Sequence, residues 1–289
     1  MKYSKILSKK SQNLNDLALS LKDQYSFADP FPHIQIDNFF SDEYLNSILN
    51  EFPDLSSLKN SQDYKNQNEI KFANNDFENF PDKIKNFFNF LNSETFLNFL
   101  QILTSINEKL IADKELNGGG LHEIKTGGLL KVHTDFNKHP FKNLDRRLNI
   151  LIYLNKKWKK KYGGNLELWN KNMKKCEKKI QPTFNTMVIF STNDFTNHGH
   201  PNPLNCPIKM SRKSLATYYF SRGRPNNEIS EIVSKNTTVF KNRKGIKNDV
   251  LISDNKLRSY VRNLKFFKNL KNFEKKYLRT GKSRQKREN

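Results

Sequence analysis

Apolar residues recur at helical spacing in two parts of the N-terminal region. One stripe predicts an amphipathic helix over about residues 12–26, and it consists of Leu14, Leu17 and Leu21. A longer stripe runs through residues 81–110 and is interrupted near residues 92–93. The longer stripe therefore predicts two consecutive helices.

The segment between these helical patterns has a different arrangement of apolar and polar residues. Residues 33–37 alternate apolar and polar positions after two prolines, which predicts a short strand. Ser41 then precedes a short apolar face and is suited to cap a helix. Residues 54–70 are rich in Asn, Ser and Lys, and this composition predicts a loop.

From Gly118 onward, short apolar segments alternate with glycine and proline. Six of these segments are strand candidates: 121–124, 129–133, 148–154, 165–169, 186–191 and 215–220. Many strands at short spacing are typical of a β-sandwich or barrel. We therefore expect a mostly β protein with flanking helices.

The pattern changes once more after Pro225. A stripe at helical spacing appears in a charged background and consists of Leu257, Tyr260, Val261, Leu264 and Phe267. We expect its helix to pack on the β core or a second subunit, and we expect about 279–289 to be disordered. The chain is thus expected to have three parts: an N-terminal support over 1–117, a β core over 118–225 and a basic, partly helical extension over 226–289.

The composition excludes several classes of protein. The 289 residues include 35% hydrophobic and 28% charged residues, which is typical of a soluble globular chain. No apolar run is long enough to predict a membrane span, and the first residues lack the apolar centre of a signal peptide. Two cysteines make neither a disulfide framework nor a zinc cluster, so we expect a cytoplasmic setting.

The positive charge is unevenly distributed. Residues 221–289 hold 20 Lys or Arg against 6 Asp or Glu, and the whole chain has a net charge of +22. A basic tail could bind nucleic acid, the ribosome or an anionic membrane. The residue usage also fits the codon bias of an AT-rich genome, and we favour this interpretation over nucleic-acid binding.

One short motif, His133-Thr134-Asp135, suggests metal binding. Residues i and i+2 of a strand point to the same face, so the imidazole and the carboxylate could bind one ion. A second histidine from a distant strand would complete a facial set of two histidines and one carboxylate. That set leaves open positions on the metal, as non-haem Fe(II) oxygenases require.

Two histidines could supply the third ligand. His198 and His200 lie about 65 residues beyond the motif, in a segment that ends at Pro201 and that we interpret as a turn. Such a turn disfavours metal binding by both at once. We favour His198 and keep His200 as the alternative.

A further polar pair lies on the predicted last strand of the core. Arg212 and Ser214 would share one face of that strand, and Lys213 would lie on the other. An arginine fork can bind a carboxylate through two parallel hydrogen bonds, and a hydroxyl can add a third. The pair could therefore bind a dicarboxylate, or it could be an ordinary exposed basic segment.

Taken in order, these segments resemble the prolyl 4-hydroxylase-like branch of the Fe(II)/2-oxoglutarate-dependent oxygenase superfamily. The resemblance covers about residues 118–220, with a fainter match at 30–39. The matching segments are GGLLKVHTD at 127–135, LNILIYLNKKW at 148–158, GGNLEL at 163–168, MVIF at 187–190, HGHP at 198–201 and RKSLATYYF at 212–220.

The resemblance implies a fold and a set of ligands. The implied fold is a double-stranded β-helix, a jelly-roll or cupin-like barrel with the metal at one mouth. It implies that Fe(II) is held by His133, Asp135 and His198. It implies that Arg212, Tyr153 and Ser214 bind the distal carboxylate of 2-oxoglutarate. O2 is the second cosubstrate, and ascorbate is a further candidate cofactor.

Three details of the sequence refine this resemblance. Gly163-Gly164 matches a turn that needs positive φ or a close approach of the backbone. Residues 203–207 make a longer link than many family members have between the last histidine and the arginine. Tyr218 stands where nucleic-acid demethylases of this superfamily have a second arginine, which counts against that branch.

The implied reaction couples oxidative decarboxylation of 2-oxoglutarate, giving succinate and CO2, to hydroxylation of an unactivated C–H bond. The first hypothesis for the substrate is a peptidyl proline, and the second is a small molecule, such as an amino acid or a sugar intermediate. A non-catalytic, basic nucleic-acid or ribosome-binding protein is the third hypothesis. Four residues are candidate substrate contacts: Arg146, Arg147, His122 and His139. We expect Trp158 and Trp169 to be core aromatics.

Overall fold

A computed structural model describes residues 3–228 and 237–246. Four helices and thirteen strands are present in these residues. The helices are α1 (Leu14–Ser26), α2 (Asp42–Glu51), α3 (Asp82–Leu91) and α4 (Glu94–Thr104). The strands are β1 (His33–Asp37), β2 (Gln62–Lys65), β3 (Glu69–Asn74), β4 (Ile111–Ala112), β5 (Gly120–Lys125), β6 (Leu129–Thr134), β7 (Asp145–Tyr153), β8 (Leu166–Trp169), β9 (Cys176–Ile180), β10 (Thr186–Ser191), β11 (Asn197–His200), β12 (Ser211–Ser221) and β13 (Val239–Phe240).

Antiparallel pairing joins ten of these strands into one path, β1-β10-β7-β12-β5-β3-β6-β11-β8-β9. Within this path, β3 pairs with β5 on one side and with β6 on the other. The strands form a nearly closed antiparallel barrel. The expected jelly-roll, double-stranded β-helix core is therefore confirmed.

The helices cover the outer face of β7, β10 and β12. Alternate residues of β7, β10 and β12 point outward and join the aromatic residues of α3 and α4 in one large core cluster. The members of this cluster from the sheet include Leu148, Ile150, Ile152, Met187, Ile189, Leu215 and Tyr219. The neighbouring alternate residues point into the barrel, and that is where the polar residues collect.

The helix predictions agree with the structure. Ser93 caps α4, and its side chain accepts a hydrogen bond from the backbone N–H of Phe96. Ser41 caps α2 in the same way, through the N–H of Tyr44. The predicted strand at 33–37 is β1, which pairs with β10 along its whole length.

The prediction of a loop over 54–70 is wrong in its second half. Residues 62–65 form β2, and β3 begins at Glu69. The side chain of Asn66 accepts hydrogen bonds from the N–H groups of Asn68 and Glu69, which forms the turn between the two strands. β2 is mostly exposed, so it lacks the apolar alternation by which strands are recognised.

A second correction concerns residues 197–200, which we interpreted as a turn. They form β11, which pairs with β6 on one side and β8 on the other. The sequence Asn-His-Gly-His has no apolar alternation, and only its two neighbours make it a strand. The predicted stripe at 257–267 and the segment 279–289 lie outside the described residues.

None of the helices in the described part of the chain combines the length and the apolar character that a membrane crossing needs.

Candidate active site

Three potential metal ligands meet inside the barrel, on or next to the adjacent strands β6 and β11. His133 is the penultimate residue of β6, Asp135 directly follows that strand, and His198 on β11 is the register partner of His133. The Nε2 atom of His133 lies 3.2 Å from Oδ1 of Asp135, and that of His198 lies 3.4 Å from Oδ2. Ligands that bind one ion in adjacent positions at about 2.0–2.2 Å stand about 3 Å apart, so these spacings fit a single metal.

Backbone carbonyls set the tautomers of both histidines. Nδ1 of His133 lies 2.8 Å from the carbonyl oxygen of Lys131, and Nδ1 of His198 lies 3.0 Å from that of Thr196. An imidazole whose Nδ1–H donates to a carbonyl has a lone pair on Nε2. Both lone pairs therefore face the carboxylate and the space where an ion would bind.

Asp135 is held by two neighbours from β7. The guanidinium of Arg146 donates to Oδ2 at 2.9 Å, and the side-chain amide of Asn149 donates to the same oxygen at 2.6 Å. Burial raises the pKa of Asp135, but the Arg146 charge and the two histidines outweigh it and hold this pKa well below its usual range. The carboxylate is thus fixed in orientation and ionised, as a metal ligand must be.

Arg146 is itself buried between aromatic rings. Its guanidinium carbon lies 3.4 Å from the centroid of the Tyr218 ring and 4.5 Å from that of Phe136. Stacking on these faces compensates part of the cost of burying the charge. In the sequence, Tyr218 was notable only because nucleic-acid demethylases have an arginine at this position. In the structure, its ring supports Arg146, the residue that orients Asp135.

A second polar group lies deeper in the barrel, on β7 and β12. Arg212 is buried, and its Nε donates to the carbonyl oxygen of Gly164 at 2.9 Å. Its Nη2 donates to the hydroxyl of Tyr153 at 3.1 Å. Ser214 is also buried and lies opposite Tyr153 in the register of these strands. The three residues predicted to bind a carboxylate are thus neighbours.

The two glycines of the 163–164 turn allow this arrangement. Both have positive φ, 71° and 74°. A Cβ on Gly164 would stand 2.5 Å from a methyl carbon of Leu204 and 3.1 Å from Cδ of Arg212. The prediction of positive φ or close approach is confirmed at this turn, since any larger residue would displace the Arg212 side chain.

Residues 119–220 match the model of the 2OG-Fe(II) oxygenase superfamily. This part of the chain is therefore similar to that superfamily. No curated protein matches the chain.

Solved structures of prolyl hydroxylases share the fold of this domain and its flanking helices. One is a prolyl hydroxylase in complex with a hypoxia inducible factor oxygen degradation domain peptide fragment, from Trichoplax adhaerens. It is 16% identical, the match covers 73% of this chain and 92% of that one, and the TM-score is 0.54. Another, a prolyl 4-hydroxylase from Phytophthora capsici, is 18% identical, with 75% and 67% of the two chains covered and a TM-score of 0.50.

The interior of the barrel fits the cofactors of the superfamily whose model it matches. The superfamily uses Fe(II), 2-oxoglutarate and O2. The donor set of two imidazoles and one carboxylate suits Fe(II). Among the described residues, no carboxylate pairs with the buried guanidinium of Arg212, and burial lowers its pKa. A buried charge without a counter-ion is costly, so this position calls for an anionic ligand.

The four candidate substrate contacts have different environments. Arg146 is next to Asp135, and His122 faces the interior from β5, opposite Ser214. Arg147 lies outside the cluster, because its guanidinium pairs with Glu108 at 2.6 Å and Glu228 at 3.5 Å. His139 is fixed by backbone N–H groups of Phe141 and Lys142, which donate to its Nδ1.

The two tryptophans are buried, as expected for core aromatics. Trp158 packs with Tyr162 and Leu204 and donates to the carbonyl oxygen of Gly163 at 3.0 Å. Trp169 packs with Val132 and Met173.

Sequence reasoning missed Asn149, whose amide contacts Asp135. Strand periodicity places Asn149 on the same face of β7 as Tyr153, but it does not show that this face meets Asp135.

Proposed function

We propose that this chain is an Fe(II)/2-oxoglutarate-dependent dioxygenase that hydroxylates an unactivated C–H bond, and that a peptidyl proline is its substrate. The observation that carries this proposal is the separation of two polar centres in one barrel. The triad of His133, Asp135 and His198 can hold a metal. Arg212, with an uncompensated buried charge, lies beyond it and can bind a dicarboxylate.

The roles of the residues follow from their contacts. His133 and His198 would bind Fe(II) through Nε2, since Nδ1 of each is held by a carbonyl. Asp135 would supply the third ligand, oriented by Arg146 and Asn149. The bound metal would supply redox chemistry with O2. Three protein ligands leave room for a chelating cosubstrate.

Arg212 and Tyr153 would position 2-oxoglutarate. The guanidinium would pair with the distal carboxylate, and the Tyr153 hydroxyl, already 3.1 Å from Nη2, is placed to donate to the same group. Burial raises the pKa of Tyr153, so its hydroxyl keeps its proton and remains a donor. Apolar residues of the barrel, including Val188, Phe190 and Leu168, exclude water from this end.

A peptide is the preferred substrate because the sequence resembles the prolyl-hydroxylase branch, whose Trichoplax relative binds a peptide. A small molecule remains the alternative substrate for the same chemistry. The test is an untargeted search for oxygenated products in peptide and metabolite pools, with the active protein compared with the Asp135→Ala variant. Products that contain hydroxyproline support the proposal. If only small molecules are oxygenated, the substrate is a metabolite and not a peptide.

Succinate formation tests the reaction class separately. With Fe(II), 2-oxoglutarate and O2, the wild-type protein is expected to release succinate slowly even without its substrate. If no succinate forms in the presence of any tested pool, the proposal of a working dioxygenase is wrong.

A further inference from the structure

His200 is a buried histidine without a partner. It is 3% exposed, and neither of its ring nitrogens has a hydrogen bond. His133 and His198, by contrast, each have Nδ1 held by a carbonyl. Buried polar groups are almost always hydrogen-bonded, so an imidazole with both nitrogens unpaired suggests that a ligand completes its environment.

The backbone directs His200 into the barrel. His198 pairs with His133 and His200 pairs with Leu130, with a register shift between the two pairs. Gly199 separates them, and a Cβ there would stand 2.8 Å from the carbonyl oxygens of Leu130 and Lys131. No larger residue fits at position 199, because its Cβ would collide with the backbone of β6. Residues i and i+2 of a strand share a face, so buried His200 points into the barrel as His198 does.

His200 is not part of the metal cluster. The three residues whose ligand atoms gather together are His133, Asp135 and His198. The positive charges that act on His200 include Arg212 and Lys71, and His133 of the triad acts on it as well. The ring is therefore within electrostatic reach of both Arg212 and the triad.

Arg212 alone does not satisfy all the hydrogen-bond acceptors of the distal carboxylate of 2-oxoglutarate. Two of its N–H groups are used by Gly164 and Tyr153. A carboxylate has about four acceptor sites on two oxygens, which a single partly occupied guanidinium does not fill. An imidazole has at least one N–H in either protonation state, so His200 can donate to a carboxylate without any change of its charge.

Building on the proposed function, we propose that His200 is a binding residue for 2-oxoglutarate, which donates a hydrogen bond to its distal carboxylate beside Arg212. Binding of the cosubstrate then gives the ring the partner that it lacks in the protein alone. The residue at this position thus contributes to selectivity for a 2-oxo dicarboxylate over a 2-oxo monocarboxylate.

The experiment measures binding without turnover. Full-length protein is loaded with Mn(II), and the affinities for 2-oxoglutarate and for pyruvate are measured by calorimetry. Pyruvate has the same metal-chelating end but no distal carboxylate. His200→Ala is expected to weaken 2-oxoglutarate about tenfold to a hundredfold, the range for a hydrogen bond to a charged group. Its affinities for Mn(II) and pyruvate are expected to stay at the wild-type values.

Two further variants make the result specific. His200→Gln keeps a side-chain N–H donor and is expected to recover part of the affinity for 2-oxoglutarate. His33→Ala removes an equally buried histidine from β1 and is expected to leave this affinity unchanged. Thermal unfolding of each variant identifies a loss of fold.

Three results would overturn the proposal. An unchanged affinity of His200→Ala for 2-oxoglutarate would exclude the hydrogen bond. An equal loss for Mn(II), pyruvate and 2-oxoglutarate would assign His200 to the metal or to the fold. Wild-type protein that binds Mn(II) but not 2-oxoglutarate would refute the proposed function itself, whereas tight binding by both wild type and variant refutes only the role of His200.

Discussion

Two clusters of histidine and carboxylate in the described part of the chain look alike but are built differently. One is the triad of His133, Asp135 and His198, and the other consists of Asp113, Glu115 and His139. Potential ligand atoms in each lie within 4.8 Å of one another. Proximity alone would therefore predict two metal sites.

The hydrogen bonds of the histidines separate the two clusters. Nδ1 of His139 accepts from the backbone N–H groups of Phe141 and Lys142, at 3.1 and 3.2 Å. A nitrogen that accepts is unprotonated, so the proton of the neutral ring is on Nε2, which faces Asp113 at 3.8 Å. That Nε2 has no lone pair for a metal, unlike those of His133 and His198.

The carboxylates of the two clusters also differ in the groups that donate hydrogen bonds to them. Asp113 accepts from the backbone N–H groups of Glu115 and Asn117, at 3.1 and 2.6 Å, and so stabilises its own loop. Asp135 accepts from side chains of another strand that orient it toward two free lone pairs. We therefore expect the partner of each ligand, more than its distance from the others, to distinguish a metal centre from a structural cluster.

The largest expected effect separates His198 from its neighbour. His198→Ala is expected to reduce turnover of 2-oxoglutarate to background, because two protein ligands rarely retain Fe(II). His200→Ala is expected to retain bound metal and measurable turnover. Succinate release, measured at saturating 2-oxoglutarate, distinguishes the two variants, and a dead His200→Ala beside an active His198→Ala would reverse the assignment.

A large effect is also expected at Arg212. In Arg212→Ala the distal carboxylate of 2-oxoglutarate would be buried without its counter-ion, so its KM is expected to rise by about a hundredfold, equivalent to about 2.7 kcal/mol. Arg212→Lys is expected to be impaired less, since an ammonium keeps the charge but loses the planar fork.

Lys213→Ala is the matched control for Arg212. The ammonium of Lys213 lies 2.7 Å from Glu123 and is on the opposite face of β12. Its loss is expected to leave the KM for 2-oxoglutarate unchanged. If the KM instead rises in Lys213→Ala and stays constant in Arg212→Ala, the cosubstrate binds elsewhere.

A moderate effect is expected from Asn149, which supports a ligand without being one. Asn149→Ala removes the 2.6 Å hydrogen bond to Asp135 and is expected to weaken metal affinity about 10- to 100-fold. Titration with Mn(II) measures this change. A variant with wild-type affinity would show that Arg146 alone orients the carboxylate.

The smallest effect on activity is expected in the structural cluster. Asp113→Ala leaves the N–H groups of Glu115 and Asn117 without an acceptor, so the free energy of unfolding is expected to fall by about 1–3 kcal/mol. Metal content and KM are expected to stay at wild-type values. Chemical denaturation and metal analysis of the same sample test both statements, and a loss of metal would contradict the structural role.

The sequence predicted the parts of this site that lie close together in the chain. His133 and Asp135 follow from strand periodicity alone, and the helices and β1 follow from apolar spacing. β11 and the β2–β3 hairpin were missed, because polar residues form these strands only where a neighbouring strand pairs with them. Interpreting 197–200 as a turn also concealed that both of its histidines point inward.

The orienting contacts were not predictable for a related reason. Arg146 and Asn149 lie 11 and 14 positions beyond Asp135 in the sequence. Such contacts depend on how the barrel brings β7 close to the end of β6, which no local pattern specifies. The difference between the triad and the His139 cluster is likewise invisible in the sequence, since it depends on which backbone group each Nδ1 faces.

The most direct test counts the metal ions bound by each chain. Wild-type protein, Asp135→Asn and Asp113→Ala are dialysed anaerobically against Fe(II), and bound iron per chain is measured. One ion is expected in the wild type and in Asp113→Ala, and none in Asp135→Asn, which preserves the shape of the side chain but removes its charge. Two ions in the wild type, or one retained by Asp135→Asn and lost from Asp113→Ala, would contradict the assignment of the metal centre to His133, Asp135 and His198.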